Sequence, residues 1–288
     1  MSHEKERYVP GDAGEIWYEH WHRYHFALPL AQGRRVLDAA CGEGYGTALL
    51  ATRAALAIGI DLAPEVVAGA RRRYGDRPNL EYRAGRCEAT GLPDASVDLF
   101  VSYETIEHIA EPEALVREAA RVVAPGGLFL VSTPNKRVYS DARDYRNPHH
   151  VHELERADFE RMLASRFERV ALFAQRVDSY SAIWPAAGAG QSVTLLESGK
   201  QDPAATLPGL ADPMYWLALC GPAAAVDAAA GAVSLLSDRG HEVQSGVDAA
   251  VRHIAELRAY VQRLEAAYLA SQEQLAQLSN PQPGWKRR

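Results

Sequence analysis

Three groups of residues in this 288-residue chain have types and spacings that suit chemistry. The first is a glycine loop, Gly42-Glu43-Gly44-Tyr45-Gly46, with Asp38 ahead of it and Asp61 beyond it. Glycines let a ligand come close to the backbone. A loop that binds a dinucleotide pyrophosphate spaces them G-x-G-x-x-G, and that pattern is absent here. A carboxylate placed like Asp38 suits a ligand with an amino group better than one with phosphates. Asp61 ends a strand-like run, where a carboxylate accepts hydrogen bonds from both ribose hydroxyls. A loop that serves only as a tight turn is the bland alternative, and the two carboxylates in strand order weigh against it.

The second group is Glu104-Thr105-Ile106-Glu107-His108. Glu104, Glu107 and His108 suit a hard divalent ion such as Mg2+, which would polarise a hydroxyl. Otherwise Glu107 caps or pairs locally and His108 lines a pocket. The third group is Asn147-Pro148-His149-His150-Val151-His152-Glu153. Its three histidines read as a zinc site, as a general base or substrate-orienting histidine, or as surface or structural residues. Tyr18 and Arg23 stand at the edge of an aromatic stripe on a leading helix, where side chains close over a bound ligand.

These residues need a scaffold. Short apolar runs at 35–40, 56–61, 80–84, 97–102 and 127–134 read as buried strands, and 167–176 and 214–222 as two more. Helical patterns fall between them, at 14–31, after Gly46 to about Thr52, from Pro64, at 111–124 and at about 155–165. Trp17, Trp21, Tyr24 and Leu28 make the apolar face of the first helix. Strands alternating with helices mean βαβ units with right-handed crossovers. The expected fold is α/β: a Rossmann-like, seven-stranded, mostly parallel sheet with helices on both faces and a C-terminal helical, coiled-coil extension. Residues 1–222 make the main domain, with 177–212 as a variable insertion or lid. Residues 223–245 are a linker or helical segment, 246–280 the coiled-coil helix and 281–288 a tail.

Composition narrows the class. Apolar, charged, Gly and Pro contents are ordinary, which excludes collagen-like, wholly disordered and disulfide-rich proteins. The three cysteines lie far apart and suit a reducing cytosol. The N-terminus shows no apolar signal core, and no apolar run is long enough to span a membrane. A cytoplasmic protein is expected. The net charge of −6 argues against a nucleic-acid partner.

LDAACGEGYG, IDLAP, GLPDASVDLFVSYETIEHI and RVVAPGGLFLVSTPNK resemble the successive motifs of the class I S-adenosylmethionine-dependent methyltransferases. The resemblance covers about residues 14–222. It implies that Gly42 and Gly44 run under the methionine part of S-adenosylmethionine, that Asp38 organises its amino end and that Asp61 holds the ribose, with Leu62 following. The segment around Cys87 and Glu88 would edge the adenine. Arg86 stands where many members carry an Asp for the adenine amino group. Tyr18 and Arg23 complete the expected cofactor set.

RYVPG, YEHWHRYHFA, SYETIEHI, STPNKRVYSD and NPHHVHEL are similar, more narrowly, to methyltransferases found with glycosyltransferases in bacterial surface-polysaccharide pathways. That implies O-methylation of a sugar-containing small molecule or glycan. His150 matches that group's N-P-x-H-V-x-E-L pattern. E-x-x-E-H is similar to the metal-binding segment of some ubiquinone-pathway O-methyltransferases. A sugar hydroxyl needs help to lose its proton, and His108 and His150 are the candidate catalytic bases. The rivals are a nicotinamide-dependent sugar oxidoreductase, an RNA methyltransferase, and a non-catalytic cofactor-binding scaffold that presents its coiled coil to a glycan-assembly partner.

That coiled coil is read from Val247, Ala250, Ile254, Leu257, Val261, Leu264, Tyr268, Ser271, Leu275 and Leu278, which alternate steps of three and four. A homodimer through this helix is expected, with a glycosyltransferase as a further partner.

Overall fold

The structure is a computed structural model that describes residues 15–178, 196–197, 205–206, 209–231, 233–237 and 242–279. The N-terminal RYVPG, most of the 177–212 insertion and the 281–288 tail lie outside the described residues. Residues 16–237 fall in one compact unit, and the C-terminal helix belongs to a second.

The strands are β1 (Arg35–Ala39), β2 (Leu56–Asp61), β3 (Leu80–Ala84), β4 (Val97–Ser102), β5 (Val123–Pro134), β6 (Arg169–Gln175), β7 (Leu196–Glu197), β8 (Ala205–Thr206) and β9 (Tyr215–Gly221). The helices are α1 (Glu15–Ala27), α2 (Tyr45–Leu50), α3 (Pro64–Tyr74), α4 (Pro112–Val122), α5 (Lys136–Tyr139), α6 (Arg156–Ala164), α7 (Ala223–Ala230) and α8 (Glu242–Ser279). Seven strands form the main sheet in the order β3-β2-β1-β4-β5-β9-β6, and β7 pairs with β8 apart from it.

The alternation of each strand builds two cores. Val36, Ala57, Leu99 and Leu128 face one side, with Val67 and Ala70 of α3 and Val226 of α7. Leu37, Ile58, Phe100 and Phe129 face the other, with Leu115 and Ala119 of α4 and Phe159 and Leu163 of α6. Both faces of the central strands are therefore dry, as their near-continuous apolar runs require.

The sheet is mixed. β1 to β5 pair in parallel, whereas β9 pairs antiparallel with both β5 and β6. The crossover through α6 leaves a gap beside β5, and β9 returns into it from the opposite direction. The 111–124 helix ends at Val122, because Val123 pairs with Val97 across a register shift and β5 begins there. The first helix ends at Ala27 and continues as a 3₁₀ turn over Leu28–Ala31, with Pro29 in its first turn. The long C-terminal helix starts at Glu242, four residues before the expected boundary.

The buried face of α1 also differs from the aromatic stripe. It carries Glu19, Arg23, Tyr24 and Ala27, all at most 4 % exposed. Trp17 and Trp21 are half-buried and stack on each other. Polar groups take the inner face because the sheet edge beneath them is itself polar.

Candidate active site

In parallel strands the carboxyl ends share one edge, and open α/β sheets bind ligands there. The β1–α2 loop, the end of β2, the turn after β4 and the long loop after β5 all lie at that edge.

The β1–α2 loop is shaped by its backbone. Ala40, Gly42 and Gly44 have φ of 62°, 53° and 83°, the region that favours glycine. A Cβ at Gly44 would stand 2.6 Å from the Ala70 Cβ, so the loop also packs too tightly for a side chain there. Gly46 is excluded from change for another reason: a Cβ would fall inside the Tyr24 ring. The glycine spacing thus fits the loop under α1.

Asp38 is 1 % exposed. It accepts a 2.6 Å hydrogen bond from the Thr47 hydroxyl, and the Tyr24 hydroxyl lies 3.2 Å from both its oxygens. Burial pushes its pKa up to about 7, against the pull of those two hydroxyls, and the Asp61 charge adds to the rise. Such a group gains from a cationic ligand. Asp61 accepts the Gly42 N–H on Oδ2 at 2.9 Å and the Ala63 N–H on Oδ1 at 3.0 Å. It joins the glycine loop to the end of β2.

Leu62 follows Asp61 and is 65 % exposed, an apolar side chain left open at the ligand edge. Beyond β3, the Arg86 Nε donates to Glu88 at 2.7 Å, and the Cys87 Sγ lies 3.4 Å from the other Glu88 oxygen. Burial, with Glu88 beside it, pushes the Cys87 thiol up to about 12. It is an inert wall. Tyr18, placed by sequence among the cofactor residues, donates its hydroxyl to the Leu236 carbonyl.

Arg23 does reach the sheet edge. Its Nε donates to Gln175 Oε1 at 2.6 Å, and its guanidinium lies 4.2 Å above the Tyr215 ring. Neither terminal nitrogen has a hydrogen-bond partner, and Nη1 stands 3.8 Å from Glu104. Glu104 sits at φ 47°, held by Ser132, whose hydroxyl accepts the Glu104 N–H at 3.0 Å and donates to its carboxylate at 2.6 Å.

Glu104 is thereby turned to Ser132 and Arg23, and the candidate metal group is rearranged. Glu107, His108 and His150 come together instead, each with a ligand atom within 4.8 Å of the others. Two backbone bonds, from Val151 N and His152 N to the Glu107 carbonyl, both 2.9 Å, dock the 147–153 loop on the turn after β4. His108 Nδ1 lies 3.0 Å from the His149 carbonyl, and His150 Nδ1 lies 2.6 Å from Glu153. Both contacts suit a proton on Nδ1, which makes Nε2 the acceptor nitrogen of a neutral ring, and on His150 that nitrogen lies 3.0 Å from Asn147 Nδ2. Tyr139 stacks on the His150 ring. Glu107 is fully buried and neither of its oxygens has a hydrogen-bond partner. Burial, with the Glu104 charge adding, pushes it well above the usual carboxylate range. His149 and His152 are exposed. The three-histidine zinc reading therefore gives way to one histidine of that run joined to Glu107 and His108.

Tyr24, Thr47, Gln175, Tyr215 and Ser132 were not candidates from sequence. Only Tyr24 had a signal, as part of the aromatic stripe.

Residues 37–131 match the family described as Methyltransferase domain. A "Probable S-adenosylmethionine-dependent methyltransferase" of Mycolicibacterium smegmatis is 42 % identical over 161 residues, 55 % of this chain and 62 % of that protein. A protein of the same description from Mycobacterium tuberculosis is 41 % identical over 152 residues, 52 % of this chain and 54 % of its own length. A ubiquinone biosynthesis O-methyltransferase of Paracidovorax citrulli is 38 % identical over 112 residues, 38 % of this chain and 47 % of that one. The matches thus span about half to three-fifths of these relatives. The residues fit the S-adenosylmethionine that two of these relatives' names carry: glycines at the close approaches of the β1–α2 loop, a buried carboxylate that a cation would favour, and a second carboxylate at the end of β2. Among the described residues no helix is long and apolar enough to cross a membrane.

Proposed function

We propose that the chain transfers a methyl group from S-adenosylmethionine to a hydroxyl of a sugar-containing small molecule or glycan. The observation that carries this reading is the pair His108 and His150, whose Nδ1 atoms are held by a carbonyl and a carboxylate, at the same sheet edge as Asp38 and Asp61. Bound S-adenosylmethionine supplies a methyl on a sulfonium, whose sulfur keeps the bonding electrons when an acceptor oxygen takes the methyl.

The chain's own residues do the rest. Asp38 meets the ammonium, Asp61 the ribose hydroxyls, and Gly42 and Gly44 let both approach. Leu62, with the Cys87–Glu88 segment, flanks the base. Arg23 and the α1 face close the methionine end. Such a site works by alignment and by exclusion of water. A hydroxyl acceptor must release its proton as the bond forms, and the Glu107–His108–His150 cluster is where this chain handles that proton.

An O-methyltransferase name among the relatives and the N-P-x-H-V-x-E-L pattern around His150 support oxygen and a sugar. The reading implies a glycosyltransferase of the acceptor's pathway as partner, no nucleic acid, and a reducing cytosol. Three free, buried cysteines accord with that compartment. Turnover of methyl-labelled cofactor with sugar acceptors and their deoxy analogues tests it. Label in the sugar, lost with one deoxy position, is the expected result. Tight S-adenosylhomocysteine binding with no turnover on any sugar favours the scaffold reading instead.

A further inference from the structure

Resting on that reading, we propose that Glu107, His108 and His150 form a binding site for a divalent ion of the manganese–cobalt–zinc class, with magnesium a poor occupant. The first argument is convergence. One ligand atom from each residue lies within 4.8 Å of the others, and His108 Nε2 stands 3.9 Å from Glu107 Oε1. Ligands that share an ion at bonds of about 2.1 Å sit about 3 Å apart. The group is open by about one to two ångströms, a distance that side-chain rotation closes.

The second argument is the unpaired acid. Glu107 has no exposure and no hydrogen bond to either oxygen. A buried carboxylate without a partner is costly, and proteins compensate it with a cation. The neighbouring cation, Arg23, makes no hydrogen bond to Glu107: its Nε bonds Gln175, its guanidinium stacks on Tyr215 and its Nη1 faces Glu104.

The third argument is the support behind each imidazole. Nδ1 of His108 is held by a carbonyl and Nδ1 of His150 by a carboxylate. Histidines that ligate metals are oriented by such partners, which fix the tautomer and leave Nε2 to the ion. On His150 the ion would replace Asn147 Nδ2, which lies 3.0 Å from Nε2.

The donor set decides the ion. Magnesium prefers oxygen ligands. Two imidazoles and one carboxylate suit manganese, iron, cobalt or zinc. Sequence alone suggested Mg2+ with Glu104. In the structure Glu104 is bonded to Ser132, and a nitrogen takes its place. An ion here would take both Nε2 lone pairs, so that the histidines would act as ligands and not as bases, and the ion would acidify a hydroxyl that reached it.

The test is metal binding by the full chain after treatment with a chelator. Titration with Co2+ should give the visible absorption of a nitrogen-ligated ion at one ion per chain, and Mn2+ and Zn2+ should compete. Mg2+ should compete at least about a hundredfold more weakly. Glu107→Gln and His150→Gln should each weaken Co2+ by at least about tenfold, while His152→Gln, an exposed control, should not. S-adenosylhomocysteine binding is measured on the same samples, which shows that each variant is folded and tests the cofactor reading separately. If that ligand binds but no ion does, or if ions bind both variants as well as they bind the parent chain, the metal proposal is overturned and the parent reading stands. If it fails to bind the parent chain, the cofactor reading falls, whatever the metals do.

Discussion

The Tyr24 hydroxyl lies 3.2 Å from each oxygen of the buried Asp38 carboxylate, so α1 supplies a donor to the acid that opens the glycine loop. The Asp38 pKa stands near 7 in the folded chain against 3.8 ordinarily. Between those values the folded chain holds a proton that the unfolded chain has lost. Its stabilising contribution is therefore present below about pH 4 and lost as pH rises through about 7. An incoming ammonium favours the ionised form. S-adenosylhomocysteine affinity should thus rise with pH up to about 7 and level off above. Tyr24→Phe removes a donor to the carboxylate, so the levelling point should move to higher pH. Calorimetric titration between pH 5.5 and 8.5 reads both effects, and a flat affinity across that range would sink the Asp38 assignment.

Gly46 and Tyr24 make a steric pair. Gly46→Ala places a methyl inside the Tyr24 ring. Overpacking of this kind costs about 1–3 kcal/mol, and here it also lifts α1 from the loop. The variant should lose several degrees in Tm and bind S-adenosylhomocysteine at least about tenfold more weakly. Tyr24→Ala combined with Gly46→Ala should be more stable than the sum of the two single changes predicts. Additive effects in the double-mutant cycle would show that the two residues do not meet.

Asp61 has two duties, and Asp61→Asn weakens both. Its two carboxylate oxygens accept the Gly42 and Ala63 amides. Asparagine keeps one acceptor and turns an NH2 toward a backbone N–H. The loss of a charged acceptor is about 2–3 kcal/mol, or roughly thirtyfold or more in S-adenosylhomocysteine affinity. Unchanged affinity in a folded Asp61→Asn chain would refute the ribose role.

The sequence shows the sheet well because each central strand is a short apolar run with helix signals on both sides. Asp38, Gly42, Gly44 and Asp61 were legible for the same reason: they occupy fixed places at the ends of β1 and β2. β9 was legible as a strand, but its direction was not, since a run of apolar residues does not encode which way it runs. The inner face of α1 was misread for a related cause. Periodicity marks aromatic residues as buried, yet Arg23 and Glu19 are buried by partners 80 or more residues away, Glu104 and Gln175 among them. The exchange of Glu104 for His150 belongs to the same kind. Spacing within E-x-x-E-H says nothing of the loop after β5, and it is the backbone bonds from Val151 and His152 that bring His150 in.

The last prediction concerns α8. This helix runs over 38 residues, about 57 Å at 1.5 Å per residue. Ile254, Leu257, Val261 and Leu264 follow the heptad steps and are 48–51 % exposed, with Tyr268 and Leu275 further along at 62 % and 58 %. Soluble chains avoid an open apolar seam of this length. The polar groups on the seam are answered within the helix itself: the Ser271 hydroxyl donates to the Tyr268 carbonyl at 2.9 Å, and Gln272 donates to the Tyr268 hydroxyl at 3.1 Å. We propose that a second copy of this chain covers the seam, because an a/d stripe with mixed charges such as Arg252, Glu256, Arg263 and Glu273 around it suits helix pairing. Light scattering on the full chain should give a dimer at micromolar concentration. Leu257→Glu with Leu264→Glu, which leave residues 16–237 untouched, should give a monomer that still binds S-adenosylhomocysteine. A full-length parent chain that is monomeric at that concentration, or a dimer that survives both glutamates, rules out pairing through α8.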